Sequence, residues 1–287
     1  MYKIMKSYHC DKALRDSFNR LAEKTFGLNF EGWYQNGFWG DNYEPYSVVA
    51  DGEVVANVSV NRTDLVVDGA RRRIYQLGTV MTEESRRRRG LIRTIMEEVE
   101  KDLMDADGVY LFANDSVAEF YPKFGFRPGK EYGCTRAVFQ TGDREMRQVP
   151  MEGPEDWAVL ERAMEQNAFR GGCDMVGNPQ LIFFYVSQFM RQNVWYCEKL
   201  DAWAIAEIED GELLLHNVFS PRAITLEQVT EAFGREVKRV TLGFSPAEPD
   251  GWELREHHEA DCNFFARGDF FREFEERKLR IPTLAHA

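Results

Sequence analysis

Residues 80–92 read Val-Met-Thr-Glu-Glu-Ser-Arg-Arg-Arg-Arg-Gly-Leu-Ile, a basic stretch that passes through a glycine into an apolar-striped segment. After Gly90, apolar residues recur at three- and four-residue steps, which predicts a helix with one buried face. These positions are Leu91, Ile92, Ile95, Met96, Val99 and Leu103. Upstream, the apolar run at residues 75–81 predicts a buried strand. The stretch is therefore a loop between a strand and a helix.

Four consecutive arginines, Arg86 to Arg89, give this loop its chemical character. A helix start presents unpaired backbone N–H groups and the positive end of the helix dipole, and together these features bind phosphate. The alternative is a solvated basic run at a helix start. Because four cations at this point oppose the dipole and each other, an anionic ligand explains them better.

A second informative segment follows farther along the chain. Residues 109–113, Val-Tyr-Leu-Phe-Ala, predict a short buried strand. Residues 114–126 then read Asn-Asp-Ser-Val-Ala-Glu-Phe-Tyr-Pro-Lys-Phe-Gly-Phe. In this stretch Asp115 or Ser116 is suited to cap a short helix, and Gly125 is suited to close it.

The two segments together resemble the GCN5-related N-acetyltransferases, which use acetyl-CoA. One motif of that family has the form Val-x-Thr followed by Arg-x-x-Gly-x-x, and the other has the form Asn-x-x-x-Ala-x-x-Tyr-x-x-x-Gly-Phe. The matching positions here are Val80, Thr82, residues 87–92, Asn114, Ala118, Tyr121, Gly125 and Phe126. Because both motifs occur in the proper order and separation, the resemblance implies the mixed α/β acetyltransferase fold.

The resemblance implies that the pantetheine arm of acetyl-CoA lies in a gap between the two predicted strands. Backbone groups of Val80, Met81 and Thr82 would pair with the pantetheine amides and place one N–H near the thioester oxygen. Asn114 and Ser116 correspond to positions that line the pantetheine.

The arginine loop would hold the phosphates. Arg93 and one or two of the loop arginines would reach the 3′-phosphate. The residues that would surround the pyrophosphate are Arg87, Arg88, Arg89, Gly90, Leu91 and Ile92. The family usually has Gly or Ala where Ile92 stands, which leaves the closest backbone approach open at this position. Larger residues there fit a resemblance to the subset called enhanced intracellular survival proteins.

The resemblance also implies that Tyr121 is the general acid, a phenol that gives a proton to the departing CoA thiolate. The alternative is a core aromatic residue at the end of a helix. No general base is assigned, because residues 75–81 contain no aspartate or glutamate. Glu83 and Glu84 are either solvated or offset the arginines. Enzymes of this kind also pass the proton through water or bind an amine that is already neutral.

An aromatic and acidic segment before the first predicted hairpin suggests the acceptor side. It contains Trp39, Asp41 and Tyr43, and aromatic rings beside carboxylates suit a cationic amine. Helix packing around a loop explains the segment equally well. The segment resembles one in the enhanced intracellular survival group, whose members acetylate amines including aminoglycosides.

The length of 287 residues favours two units of about 140 residues each. Residues 1–140 would be the acetyl-CoA-binding domain. Residues 145–287 predict the same order of helices and strands without the motifs, and Ser-Pro-Arg-Ala-Ile at 220–224 replaces the glycine-arginine loop. We therefore expect a tandem protein whose second acetyltransferase-like domain is degenerate and supports the first.

Composition excludes several classes of function. The net charge of −12 lies mostly after residue 140 and disfavours nucleic-acid binding. No run of 18 apolar residues and no signal peptide is present, so a cytoplasmic protein without a membrane partner is expected. The five cysteines lie far apart without Cys-x-x-Cys spacing, so neither a disulfide framework nor a metal site is expected.

Two functions remain in view. The favoured one is an N-acetyltransferase that moves an acetyl group from acetyl-CoA to a primary amine of a small molecule or peptide. The alternative is a non-catalytic CoA-binding regulatory or scaffold protein in which Tyr121 is structural. Both bind CoA, so only a thiol-release assay separates them. The acceptor, the base and the oligomeric state stay open.

Overall fold

The computed structural model describes residues 2–286. Its α-helices are α1 (Lys12–Phe26), α2 (Glu31–Gln35), α3 (Leu91–Asp102), α4 (Pro154–Glu165), α5 (Pro179–Gln188), α6 (Leu226–Ala232) and α7 (Phe270–Glu276). Its strands are β1 (Lys3–Met5), β2 (Tyr43–Ala50), β3 (Glu53–Arg62), β4 (Leu65–Val67), β5 (Ala70–Arg72), β6 (Ile74–Thr82), β7 (Gly108–Ala113), β8 (Arg127–Pro128), β9 (Glu131–Ala137), β10 (Arg147–Gln148), β11 (Asp174–Met175), β12 (Val194–Cys197), β13 (Ala202–Glu209), β14 (Glu212–Phe219), β15 (Arg239–Leu242), β16 (Glu253–His257) and β17 (Asn263–Arg267). The strands form two seven-stranded sheets and one three-stranded sheet. The expected α/β class is confirmed.

The first sheet has the spatial order β1-β2-β3-β6-β7-β17-β8. Helix α1 begins after Asp11 because the Asp11 carboxylate accepts hydrogen bonds from the backbone N–H groups of Ala13 and Leu14. Helices α1 and α2 cover one face of the sheet around the buried side chains of Phe18 and Trp33. Helix α3 packs its predicted apolar stripe onto the other face. The sheet is thus covered on both sides.

The second sheet has the spatial order β10-β12-β13-β14-β15-β9-β16. Its core includes Val229 and Phe233 of the α6 segment, which pack against Leu213 and Leu242 of the sheet. Helix α6 connects β14 to the parallel strand β15, as α3 connects β6 to the parallel strand β7. Two helices, three antiparallel strands, a third helix and a parallel strand thus follow one another between residues 154 and 242.

The two large sheets exchange strands. Strand β9 precedes the expected boundary at residues 140–145, yet it lies in the second sheet between β15 and β16. Strand β17 follows that boundary by more than one hundred residues, yet it lies in the first sheet between β7 and β8. The expected boundary therefore does not separate the sheets, because alternating apolar residues identify a strand without identifying its partner.

Further contacts join the halves. The hairpin of β4 and β5 pairs with β11 in the small sheet. The Trp33 indole donates to the Gln180 backbone oxygen at 2.9 Å, and the Asn178 side chain donates to the Arg62 backbone oxygen at 2.8 Å. Within residues 2–286 no helix has both the length and the apolar character needed to cross a bilayer.

Candidate active site

The parallel strands β6 and β7 separate partway along their length. They pair from Ile74–Gly108 to Gln76–Tyr110, and in the described chain the pairing goes no further. Strand β6 continues to Thr82 and β7 continues to Ala113. The result is a gap between the two strands, as the resemblance implied.

A β-bulge lies on β6 at this gap. Asn57 of β3 is opposite Met81 and Ser59 is opposite Gly78, so Thr79 and Val80 together face one residue of β3. Thr79 has φ of 47°, which a β-branched residue rarely adopts. Such backbone strain costs on the order of 1–3 kcal/mol and persists only where neighbouring groups hold it.

Buried polar side chains hold the bulge. The Asn57 side-chain amide donates to the Thr79 backbone oxygen at 2.9 Å, and the Tyr43 hydroxyl lies 2.5 Å from Thr79 Oγ1. Asn57 also accepts from the Ser47 hydroxyl and donates to the Ser59 hydroxyl. Asn57, Ser47 and Ser59 are fully buried. This network orients the backbone of Val80 and Met81 at the edge of the gap.

The arginine loop ends at an open helix start. Arg88 and Gly90 have φ of 62° and 77°, and no side chain of the described residues caps α3. Open space surrounds the position that a Cβ at Gly90 would take. The backbone N–H groups of the first turn therefore have no side-chain acceptor among the described residues, as an anion site requires.

The loop arginines are available to a ligand. Arg87, Arg88 and Arg89 are exposed, and within residues 2–286 none of them has a carboxylate partner. Arg86 differs, because it lies 3.8 Å from the Asp51 carboxylate. Glu83 bonds to Lys24 at 3.0 Å rather than offsetting the arginines.

The two neighbours of the loop are also placed. Ile92 packs its side chain against the core, which accommodates the departure from Gly or Ala at that position. The Arg93 guanidinium lies 5.7 Å from the centre of the Phe124 ring, so it is close to the second motif. Asn114 and Ser116 are exposed beyond the end of β7, and the Asn114 side chain bonds to Asp261.

The segment after β7 differs from the predicted short helix. It consists of two 3-10 turns, Asp115–Val117 and Tyr121–Phe124, and neither has a capping side chain among the described residues. The expected cap by Asp115 or Ser116 is wrong, because the Asp115 carboxylate accepts instead from Asn263. Gly125 closes the segment in a left-handed conformation, as predicted.

Tyr121 sits where this segment meets the core. Its side chain is 5% exposed and its ring contacts those of Phe120, Phe126 and Phe265. No hydrogen bond within residues 2–286 occupies its hydroxyl. Burial raises the pKa of Tyr121 to about 12. The phenol therefore stays protonated at neutral pH, as a proton donor must.

The suggested acceptor residues are divided between core and surface. Trp39 and Tyr43 are buried in the aromatic cluster of α1 and α2, and the Trp39 indole donates to the Tyr43 backbone oxygen at 3.1 Å. Asp41 is exposed. Packing against α1 and α2 thus accounts for Trp39 and Tyr43. To contact an acceptor, their side chains would have to move out of this aromatic cluster.

A cavity of about 440 Å³ adjoins the second motif. It reaches Ala118 and Pro122, which flank Tyr121, and also Phe112 of β7. The rest of its wall includes Glu119, Lys130, Glu131, Glu256, His257, Glu259, Cys262 and His286. Sequence reasoning missed this cavity because most of these residues are far from the motifs in the chain.

Two polar side chains of the cavity, Glu131 and His257, are shielded from solvent, while Glu119, Glu256 and Glu259 are exposed. Glu131 is buried, which raises the pKa of its carboxyl to about 7, and it accepts from the Ile281 backbone N–H at 2.8 Å. Burial, with the nearby Arg280 charge, lowers the pKa of His257 to about 4. His257 lies 3.0 Å from the Arg280 guanidinium. Among residues 2–286 no group of His, Cys, Asp and Glu side chains is arranged to hold a metal ion.

Comparisons with known proteins agree with this geometry. Residues 11–129 match the model of the acetyltransferase (GNAT) domain. No curated protein matches the chain. The matched range covers less than half of the chain and includes β6, the arginine loop, α3 and the second motif, so this part of the chain is similar to the GNAT acetyltransferase domain.

Solved structures share the fold along nearly the whole chain. A conserved protein of unknown function from Enterococcus faecalis, a probable N-acyltransferase, is 12% identical, with a TM-score of 0.61 over 96% of this chain and 74% of its own. A GCN5-related N-acetyltransferase from Kribbella flavida is 17% identical, with a TM-score of 0.56 over 93% and 72%. Eis1 from Mycobacterium abscessus is 14% identical, with a TM-score of 0.52 over 92% and 73%. At these identities the likeness shows the fold alone.

Proposed function

We propose that the protein is an N-acetyltransferase that transfers the acetyl group of acetyl-CoA to a primary amine of a small molecule or peptide. One observation carries the proposal. The gap between β6 and β7, the bulge at Thr79 and the open start of α3 occur on one strand–loop–helix unit. A merely structural unit has no use for a strained bulge beside an uncapped basic helix start.

The proposed binding of acetyl-CoA uses mainly backbone groups. Val80, Met81 and Thr82 present theirs at the gap, where the pantetheine amides would pair. The first turn of α3 and the exposed residues Arg87 to Arg89 would hold the diphosphate, and Arg93 would reach the 3′-phosphate. Asn114 and Ser116 would border the pantetheine at the far side of the gap.

Tyr121 is proposed as the proton donor to the departing thiolate. Its raised pKa, about 12, keeps the phenol protonated, and burial among aromatic rings limits its movement. The same burial fits the alternative of a non-catalytic CoA-binding protein, in which Tyr121 serves the core only. The two functions differ in whether CoA thiol is released.

The acceptor amine is proposed to enter through the 440 Å³ cavity beside Tyr121. Four of its lining side chains are glutamates, of which Glu256 pairs with Lys130 at 3.0 Å, and the remaining acidic side chains favour a cationic amine. Asp41 is an exposed acidic residue that would also attract such an acceptor. Glu131, with a pKa of about 7, is suited to take up a proton at neutral pH.

The test is a thiol-release assay with acetyl-CoA over a panel of small amines and amino-terminal peptides. An acetyltransferase releases CoA thiol at a rate that rises with one class of amine. Isothermal titration with acetyl-CoA alone serves as the binding control, since both functions predict binding. Saturable binding without thiol release from any amine would favour the regulatory or scaffold function.

A further inference from the structure

The turn before β17 reaches across to the loop that follows β7. The Asp261 carboxylate accepts from the Asp115 backbone N–H at 2.7 Å and from the Asn114 side-chain amide at 2.9 Å, and that amide also donates to the Asp261 backbone oxygen at 3.1 Å. Asn263 donates to the Asp115 carboxylate at 2.7 Å and to the Ala113 backbone oxygen at 3.1 Å. We call Asp261 and Asn263 the β17 clamp.

The loop held by the β17 clamp has little local structure to support it. It consists of the 3-10 turns Asp115–Val117 and Tyr121–Phe124, and hydrogen bonds of 3-10 turns have poorer geometry than those of an α-helix. As no side chain of the described residues caps either turn, the position of the loop depends on tertiary contacts.

Strand β17 and the turn before it contact the second motif at two places. The clamp holds its beginning at Asn114 and Asp115, and the Phe265 ring packs 6.0 Å from the Tyr121 ring. The segment that carries the proposed acid is therefore held by residues from the far end of the chain. Strand β17 therefore completes the first sheet and also supports the segment that carries Tyr121.

We propose that Asp261 is a positioning residue for acetyl transfer. It holds the loop after β7 so that Tyr121 stands where its phenol can protonate the departing thiolate. This inference rests on the proposed function of Tyr121. Because Asp261 bonds to Asn114 and Asp115 and not to Tyr121, its loss acts through the loop and lowers turnover by misplacing the acid.

The backbone of Asp261 allows a clean substitution. Its φ of 57° lies in the left-handed region, which glycine and asparagine adopt readily. Asp261→Gly therefore removes the carboxylate without straining the turn. Asp261→Asn keeps a side-chain oxygen for the Asp115 N–H and serves as the conservative variant. Asp210→Gly is the matched control, since Asp210 has φ of 48° in the exposed turn between β13 and β14.

In the full chain, Asp261→Gly is expected to lower kcat by about 10- to 100-fold, the scale for a misplaced catalytic group. Asp261→Asn should recover most of that loss, and Asp210→Gly should keep the unmodified rate. In the Tyr121→Phe background the effect of Asp261→Gly should largely disappear, because the two residues act through one step. An undiminished effect in that background, or an unchanged kcat in Asp261→Gly alone, would overturn the positioning role.

Amide hydrogen exchange tests the β17 clamp without turnover. Residues 114–124 should exchange faster in Asp261→Gly than in the unmodified protein, and Asp261→Asn should resemble the unmodified protein. Equal exchange in all three proteins would show that Asp261 does not hold the loop. If the unmodified protein released no thiol with any amine, acetyl transfer would be rejected and the positioning role with it, while the exchange data would still decide whether the clamp exists.

Discussion

Two crossovers in the described chain connect parallel strands through a helix, and they differ at the place where a ligand would bind. In the first, β6 and β7 part after three residue pairs, and α3 begins without a side-chain cap. In the second, β14 and β15 stay paired along all four residues of β15. There Thr225 and Gln228 form a capping box at the start of α6, with hydrogen bonds of 2.9 and 3.2 Å.

This difference shows how two strand–helix–strand crossovers of one chain can differ in what they offer to a ligand. The second crossover satisfies its helix start with its own side chains and closes the space between its strands, so its backbone donors are not offered to a ligand. In the first crossover the helix start has no side-chain cap, the space between the strands is open, and exposed arginines lie beside it. A phosphate-containing ligand is what would complete it.

The largest expected effect concerns Tyr121, which has no counterpart motif in the second half. Tyr121→Phe keeps the ring and its contacts, so acetyl-CoA affinity should stay nearly the same. The loss of the proton donor should lower kcat by roughly 10²- to 10⁴-fold, with little change in KM.

Tyr132→Phe is the control for that change, because Tyr132 is a partly buried tyrosine of the second sheet. It should turn over at the unmodified rate. Equal rates for Tyr121→Phe and the unmodified protein across the accessible pH range would identify Tyr121 as a core aromatic residue and place the acid elsewhere.

The second prediction concerns the open helix start. Acetyl-CoA should bind the unmodified protein with a dissociation constant in the micromolar range, within the usual ~1 μM to 1 mM for substrates. Gly90→Val should weaken binding about tenfold or more, because the side chain crowds the diphosphate and disfavours the left-handed backbone by about 1–2 kcal/mol. Isothermal titration measures both values.

Gly27→Val separates the backbone effect from the ligand effect. Gly27 has φ of 71°, ends α1 and also has open space around its Cβ position. Gly27→Val should lower the free energy of unfolding by about as much as Gly90→Val does, while its affinity for acetyl-CoA should stay unchanged. Unchanged affinity in Gly90→Val would show that the diphosphate does not bind at this loop.

A smaller effect is expected at the capped helix start. Thr225→Ala should lower the free energy of unfolding by about 1 kcal/mol, since it removes the side-chain acceptor for the Gln228 N–H. Denaturant unfolding of the full chain measures the change. The rate of acetyl transfer should not respond, and a large fall in kcat would mean that α6 belongs to the active site.

No effect is expected from a change at the loop before α6 in the second crossover. The second crossover should bind no CoA, so titration of the full chain should give one acetyl-CoA per chain, and Arg222→Ala should leave affinity unchanged. A fragment of residues 145–287 is unsuitable for this test because it lacks β9, which lies between β15 and β16 in the second sheet. Two sites per chain would overturn the contrast between the crossovers.

Much of the first crossover was predictable because its signals are local. The apolar stripe of α3, the glycine before it and the order of the two motifs all lie within short stretches of chain. The short helix expected at Asp115 failed for the opposite reason. The Asp115 carboxylate and N–H, which favour a cap locally, are used by Asn263 and Asp261 from a distant segment.

The sequence by itself determined the strand–loop–helix unit from β6 to α3, most of the helices and strands between residues 150 and 244, and the position of Tyr121 in its motif. Only the tertiary structure decided that β9 and β17 exchange sheets, that Trp39 and Tyr43 lie in the core, and that Glu131 and His257 border a cavity beside Tyr121. Periodicity records which side of an element is buried. The partner of a strand depends on contacts between distant segments, and those exist only in the folded chain.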